Sequence, residues 1–289
     1  MRPLDRLFPV LASLAMLLFA PTVSAAAAAT VEIVQSPAWR DRGGATEPLA
    51  AGMELKSGDV LRTGPDARVY LTLAEGSRVK LGETARFAFF SRSLQPDRVF
   101  RGALDVLAGA FRFTTGQLAK TGPREIAIRV GTATIGIRGT DLWGKTDKEG
   151  DLVALLEGRI EITRANETAE LAQPWTFFDA PRDKAAEIKP LDPEVFKGLA
   201  RQTEILAGDG GARARGKWRV LAAVAPSEEA ALQLYDRVRE AGFAARIRPR
   251  QAEGWRYEVF LGGFSGPAEA GVAAARLAAA TGLKTSVGR

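Results

Sequence analysis

The chain has 289 residues, 40 of them Lys or Arg against 34 Asp or Glu, for a net charge of +6 and with neither Cys nor His. Without Cys there is no disulfide framework, no lipoprotein attachment point and no thiol nucleophile. Without His, the Ser-His-Asp arrangement, the common zinc sites and most acid–base pairs are excluded, so no enzyme, catalytic residue, metal site or cofactor is expected.

The amino terminus opens with a weakly basic Met1–Arg6, followed by an apolar run from Leu7 to Ala20 and the small residues Pro21 to Ala25. Charged start, short apolar middle and small residues at a cut form the grammar of a secretory signal. The apolar run is about fourteen residues, short of the twenty or so that span a bilayer. Cleavage after Ala25 fits Val23 and Ala25 in the specificity positions, with Ala27 or Ala29 as alternatives. Residues 1–25 are thus expected to be a cleaved signal peptide. The mature chain is expected to be a periplasmic protein with no membrane span. An exported protein is separated from nucleic acid, and its mild positive charge favours acidic or polyanionic partners.

From residue 31 to 163 the pattern has period two. Val69, Leu71 and Leu73 alternate with Tyr70 and Thr72, and Phe87-Phe89, Phe111-Phe113, Ile126-Ile128-Val130 and Ile160-Ile162 repeat the spacing. Apolar residues two apart share one face of a strand, so each piece reads as half-buried β. Gly58-Asp59, Gly64-Pro65-Asp66 and Glu75-Gly76-Ser77 supply turn chemistry. The expectation is an all-β roll, sandwich or solenoid-like stack.

Residues 164–216 read as a Pro/Gly-rich linker. Prolines at 174, 181, 190 and 193 argue against regular structure, apart from one helix over Glu194–Ala207 with Val195, Leu199, Ile205 and Leu206 on one side. Trp175, Phe177 and Phe178 are expected to pack on the β body. Gly208–Gly216 reads as a flexible basic hinge.

Residues 217–289 read as a separate α+β module. Trp218–Val224 forms a strand, and Ser227 caps a helix with Glu228 and Glu229 in its first turn. Two strands follow at Ala244–Pro249 and Trp255–Leu261, then a helix from Pro267 to Ala280 stopped by Gly282, and a last strand at Lys284–Val287. The order βαββαβ closes a four-stranded antiparallel sheet with both helices on one face.

Two resemblances follow from these stretches. Gly58–Leu81 and Thr132–Ile162, with expected turns at Arg138-Gly139-Thr140 and Leu156-Glu157-Gly158, resemble the periplasmic FecR domain of iron-transport signalling regulators. Such regulators carry a cytoplasmic anti-sigma segment and one membrane span ahead of the domain; a cleavable signal is read in that place here. The tail resembles a SPOR domain, on the aromatic-led strand Trp218-Arg219-Val220, the stretch Tyr257 to Phe264, the helix after Pro267 and the element order. That resemblance implies binding to peptidoglycan glycan strands bare of stem peptides, and recruitment to the wall during cell division.

Strand parity places Arg219, Leu221, Arg246, Arg248, Arg256 and Phe260 on the open face of the tail sheet, together with Glu258. These six are the candidate peptidoglycan-binding residues. Guanidinium forks suit the muramic acid carboxylates exposed when stem peptides are removed, and Phe260 suits an apolar sugar face. The SPOR pattern commonly has Gln at the place of Leu221 and polar or basic residues at those of Glu258 and Phe260; here Leu221 cannot hydrogen-bond a sugar and Glu258 opposes a carboxylate. In the body, Arg138, Thr140, Asp141 and Trp143 read as a tight turn. Glu157 and Glu161 are about 13 Å apart by strand rise, too far for a glycosidase pair. The expected function is an exported envelope protein that binds denuded glycan through the tail and presents the β body for interaction. The alternative is an envelope protein-binding or signalling scaffold without glycan binding, its partner an unidentified envelope protein.

Overall fold

A computed structural model of the chain describes residues 27–94, 99–116, 124–165, 167–252 and 254–289. The signal-peptide reading of residues 1–25 lies outside the described residues. The body begins with strands β1 (Ala29–Gln35), β2 (Ala38–Arg42), β3 (Ala45–Pro48), β4 (Glu54–Leu55), β5 (Val60–Thr63), β6 (Arg68–Leu73) and β7 (Arg78–Leu81). It continues with β8 (Arg86–Leu94), β9 (Val99–Thr114), β10 (Arg124–Val130), β11 (Ala133–Thr146), β12 (Gly150–Arg164), β13 (Glu167–Leu171), β14 (Thr176–Pro181) and β15 (Glu187–Pro190). Helix α1 (Pro193–Arg201) and the short strand β16 (Ala212–Arg213) lead to the tail. The tail holds β17 (Trp218–Ala225), α2 (Glu228–Glu240), β18 (Arg246–Ala252), β19 (Gly254–Phe264), α3 (Pro267–Thr281) and β20 (Ser286–Gly288).

Three long strands organise the body. The first part of β9 pairs with β8 and, in parallel, with β10, while its last residues pair with β7 and β11. In the same way β12 pairs with β13 through residues 160–164 and with β14 through residues 150–155. One run of pairing therefore passes β3-β2-β5-β8-β9-β10-β11-β12-β13, and another passes β16-β1-β6-β7-β9-β11-β12-β14-β15. Their inward side chains meet in one core: Phe87, Phe89, Leu104 and Val106 from the first run face Val69, Leu71, Val79, Phe111 and Phe113 from the second. Period two dictates this, because each inward residue brings its i±2 neighbours to the same face. The body is an all-β unit in which bent strands shared by the two runs enclose one core.

The expected turns at Arg138–Thr140 and Leu156–Gly158 are instead opposed irregularities within one long hairpin. The β11–β12 register shifts between Arg138 and Leu142, with Gly139 at φ 63° and Gly158 at φ 86°. A Cβ on Gly158 would collide with the Gly139 carbonyl, so the strands can approach here only without a side chain at 158, whereas at Gly139 the space is open and the left-handed φ is what favours glycine. Asp141 is ion-paired to Arg112 at 2.7 Å, and Trp143 is fully buried under α1 with Ala110, Ala154, Leu191 and Phe196. These are structural roles.

Residues 164–190, expected to be a linker, instead add β13, β14 and β15 to the body. The prolines do not oppose this, because Pro181 and Pro190 are the last residues of their strands, where a missing ladder donor costs little. Phe178 is buried and Phe177 packs beneath α1, whereas Trp175 stays 43% exposed, edge-on to Phe196 at 5.7 Å between ring centroids. Helix α1 stops at Arg201, six residues short of the expected end. Beyond it the Glu204 carboxylate is drawn to Lys80 Nζ at 2.6 Å, Arg112 at 3.2 Å and the Tyr70 hydroxyl at 2.9 Å, and the Ile205 N–H donates to Tyr70 Oη. Its buried side carries Phe196 and Leu199, while Val195 and Leu206, expected to face inward, are exposed.

The tail sheet runs β20-β17-β19-β18, antiparallel throughout. Ala231 and Val238 of α2 and Ala270, Ala273, Ala274 and Leu277 of α3 pack on Val220, Ala222, Val259 and Leu261, leaving the other sheet face uncovered by helices. Ser227 Oγ accepts from the Ala230 N–H, and Gly282 ends α3 in the left-handed conformation. The expected hinge is a built joint. Strand β16 pairs on one side with β1 and on the other with β19, and the Glu269 carboxylate accepts from the N–H groups of Gly208, Gly210 and Gly211 at 2.8, 2.6 and 3.0 Å. Opposite, the Ala38 N–H donates to the Gly242 carbonyl at 3.1 Å, and Arg276 donates to the carbonyls of Ser36 and Asp66.

Candidate functional site

Register across the tail sheet determines which side chains share its open face. Ser286, Leu221, Phe260 and Arg246 lie in one row across the four strands. Glu258 pairs with Arg248 and, on its other side, with Val224; Arg256 pairs with Arg250. Arg219 lies one step from the first row, opposite Gly262. All six candidate residues therefore fall on the one face, with Phe260 at the centre.

The geometry around Phe260 is tight. The guanidinium of Arg248 sits over the ring at 5.4 Å from its centroid and that of Arg219 at 5.6 Å. Such stacking contributes on the order of 0.5–1 kcal/mol per pair at an exposed site and, more importantly here, orients the forks. Arg219 also donates to the Arg289 carbonyl at 2.6 Å. The ring thus serves arginines first; a sugar stacked on it would compete with a guanidinium. Arg246 and Arg256 are exposed, and Arg246 has no hydrogen-bond or ion-pair partner among the described residues.

Glu258 is not a bare opposing charge. Arg248 donates to it through Nε at 3.0 Å and through a second nitrogen, and Arg250 reaches it at 3.2 Å. Burial alone would raise its carboxyl, but the Arg248 hydrogen bond and the charges of Arg248 and Arg250 outweigh this and hold it below the usual carboxylate range. It stays ionised and neutralised, and among the described residues the face carries five arginines around one carboxylate.

Two members of the face escaped the sequence reading. Arg250 was cut off because the strand was ended at Pro249; β18 has no strand beyond it, so Pro249 sits on an edge where its missing N–H is harmless. Val224, 53% exposed, joins the face because a bulge between Leu221 and Ala223 flips the parity of β17. Arg250 had a signal, the period-two run Arg246-Arg248-Arg250; Val224 had none. Among the described residues no cluster of acidic groups is suited to a metal ion, and no helix is long and apolar enough to cross a membrane.

Residues 59–161 match the family model described as FecR protein, and residues 214–287 match that of the SPOR domain. The chain carries a FecR domain followed by a SPOR domain. These are non-catalytic binding or regulatory domains of the cell envelope, SPOR pointing to peptidoglycan and FecR to envelope signalling. No curated protein matches the chain. Two crystal structures of candidate anti-sigma factors from Parabacteroides distasonis are similar over part of it. One is 14% identical with a TM-score of 0.40, covering 49% of this chain and 63% of its own. The other is 13% identical with a TM-score of 0.39, covering 68% and 96%.

Proposed function

We propose that this chain is exported to the periplasm by residues 1–25 and there binds peptidoglycan glycan strands bare of stem peptides. In this reading the open face of the SPOR sheet is the binding surface, and the FecR domain is held at the wall as an interaction surface. The observation that carries the reading is the cluster of Arg219, Arg246, Arg248, Arg250 and Arg256 around Phe260, in which Glu258, the one carboxylate on the face among the described residues, is already paired. Removing stem peptides exposes a carboxylate on each muramic acid, and planar guanidinium forks bind carboxylates with geometric selectivity. Within this scheme Leu221 and Phe260 give apolar contact, Arg246 and Arg256 engage carboxylates, and Arg248 acts after partial release from Glu258. Cosedimentation of the full mature chain with amidase-treated sacculi tests this. Several-fold enrichment over untreated sacculi is expected, and equal recovery from both would overturn it.

A further inference from the structure

A cleft of about 300 Å³ opens between the two domains, at the end of the tail sheet nearest the body. Its tail wall includes Arg219, Arg246 and Phe260, which also belong to the open face, so cleft and face are continuous. Its other wall belongs to the β body, in the strands that precede the FecR match: Val34 and Ser36 at and just after the end of β1, and Leu49, Ala50 and Ala51 from the turn after β3. The volume is at the low end of the range of about 300–1,000 Å³ typical of small-ligand sites.

Charge in the cleft is one-sided. Arg213, Lys217, Arg219, Arg246 and Arg276 line it, and among the described residues no Asp or Glu does. Arg213, Lys217 and Arg246 are exposed, and their side chains have no hydrogen-bond or ion-pair partner among the described residues. Like charges collected without counter-charges are unfavourable in the empty protein and become favourable when an anion bridges them.

The two walls are also held in place. Ile33 and Val34 pair with Arg213 and Ala212, and Ala212 pairs in turn with Phe264 of β19, so backbone hydrogen bonding runs from the body sheet into the tail sheet directly beside the cleft. A Cβ on Gly263 would lie 2.7 Å from the Arg213 carbonyl, which shows how closely the two strands cross. A wall fixed in this way is pre-organised, and a ligand that contacts both walls loses little affinity to domain ordering.

We propose that the glycan site is composite, with the first strands of the β body, on which the FecR domain is built, forming its second wall. A denuded strand lying on the Phe260 face continues into the cleft, where a muramic acid carboxylate is held by Arg213, Lys217 and Arg246 against the Ala50–Ala51 turn. This rests on the glycan reading above and adds that the β body takes part in recognition, beyond being carried to the wall.

The test is a titration of the full mature chain with soluble denuded glycan strands at fixed salt, comparing wild type with three variants. Ala51→Glu places a negative charge on the body wall, Ala51→Lys places a positive charge there on a longer side chain, and Arg256→Glu alters the open face at a residue that does not line the cleft. Ala51 is half-exposed in a turn, so thermal melts should match wild type and separate binding from folding. The proposal expects Ala51→Glu to weaken binding at least tenfold, about 1.4 kcal/mol, and Ala51→Lys to bind several-fold more tightly than Ala51→Glu, since only the sign of the added charge opposes the anion. If Arg256→Glu weakens binding while Ala51→Glu binds like wild type, the composite site is wrong and the sheet-face reading stands. If wild type itself does not bind, both fall.

Discussion

Glu269 offers the sharpest probe of how the two domains are joined. Its carboxylate accepts three backbone N–H groups from Gly208, Gly210 and Gly211, all at 3.0 Å or less, in the first turn of α3. Replacing it by Ala strands three part-buried donors and removes a favourable negative charge from a helix N-terminus. Hydrogen bonds to a charged acceptor contribute about 1.5–3 kcal/mol each when buried, but water can reach part of this site and the bonds share one carboxylate. The dipole contribution adds about 0.3–1 kcal/mol. Together these place the cost of Glu269→Ala at about 2–4 kcal/mol. Glu269→Gln keeps one acceptor but turns an N–H toward the donors, and should lose most of the same amount. Urea titration followed by tryptophan fluorescence reads the shift, and limited proteolysis should show new cleavage within residues 208–216. A midpoint unchanged to within 0.5 kcal/mol, with the segment still resistant to protease, would refute the view that this joint is a docked element.

Gly242→Ala should destabilise the chain by about 2 kcal/mol or more, because the position is at φ 86° and the new Cβ would approach Trp39 to 2.6 Å and Pro37 to 2.7 Å; equal melting temperatures would contradict this. Asp151 is fully buried and paired to Arg182 at 2.8 Å. Burial pushes its carboxyl up, but hydrogen bonds from Thr146, Thr132 and Arg182 outweigh it and hold it below the ordinary value. With the folded pKa below the unfolded one, its stabilisation is present above pH ~4 and is lost as pH falls through the folded value. Asp151→Asn should cost about 2–3 kcal/mol at pH 7 and flatten the acid limb of the stability profile; parallel profiles for variant and wild type would exclude this role.

How much of this was legible in the sequence depended on the range of the interactions involved. The tail reads almost residue by residue, because Ser227, Pro267 and Gly282 are local signals and the period-two strands alternate cleanly around Val220 and Val259. The core positions Val69, Leu71, Phe111 and Phe113 were legible for the same reason. The Arg138–Thr140 and Leu156–Gly158 stretches were misread because a glycine at positive φ looks identical in a turn and in a bulge; only the pairing of β11 with β12 distinguishes them. Pro181 and Pro190 read as breakers in the sequence, although each is the last residue of its strand, where no ladder donor is required, and Pro249 reads as a strand end although β18 continues past it to Ala252. The Gly208–Gly211 segment read as a hinge because its partner, Glu269, is about sixty residues away. Of the site, the six open-face residues follow from parity alone. The Arg219 and Arg248 stacking on Phe260, and the pairing that neutralises Glu258, needed the third dimension.

The central claim is that the open SPOR face binds denuded glycan, and the most direct measurement is amide chemical-shift mapping of the full mature chain titrated with soluble denuded strands. Saturable shifts are expected, centred on Leu221, Arg246, Arg248 and Phe260, extending to Ala50 and Ala51 and weakening as salt is raised. Shifts confined to the outer strands of the FecR domain, or none at glycan concentrations into the millimolar range, would contradict it.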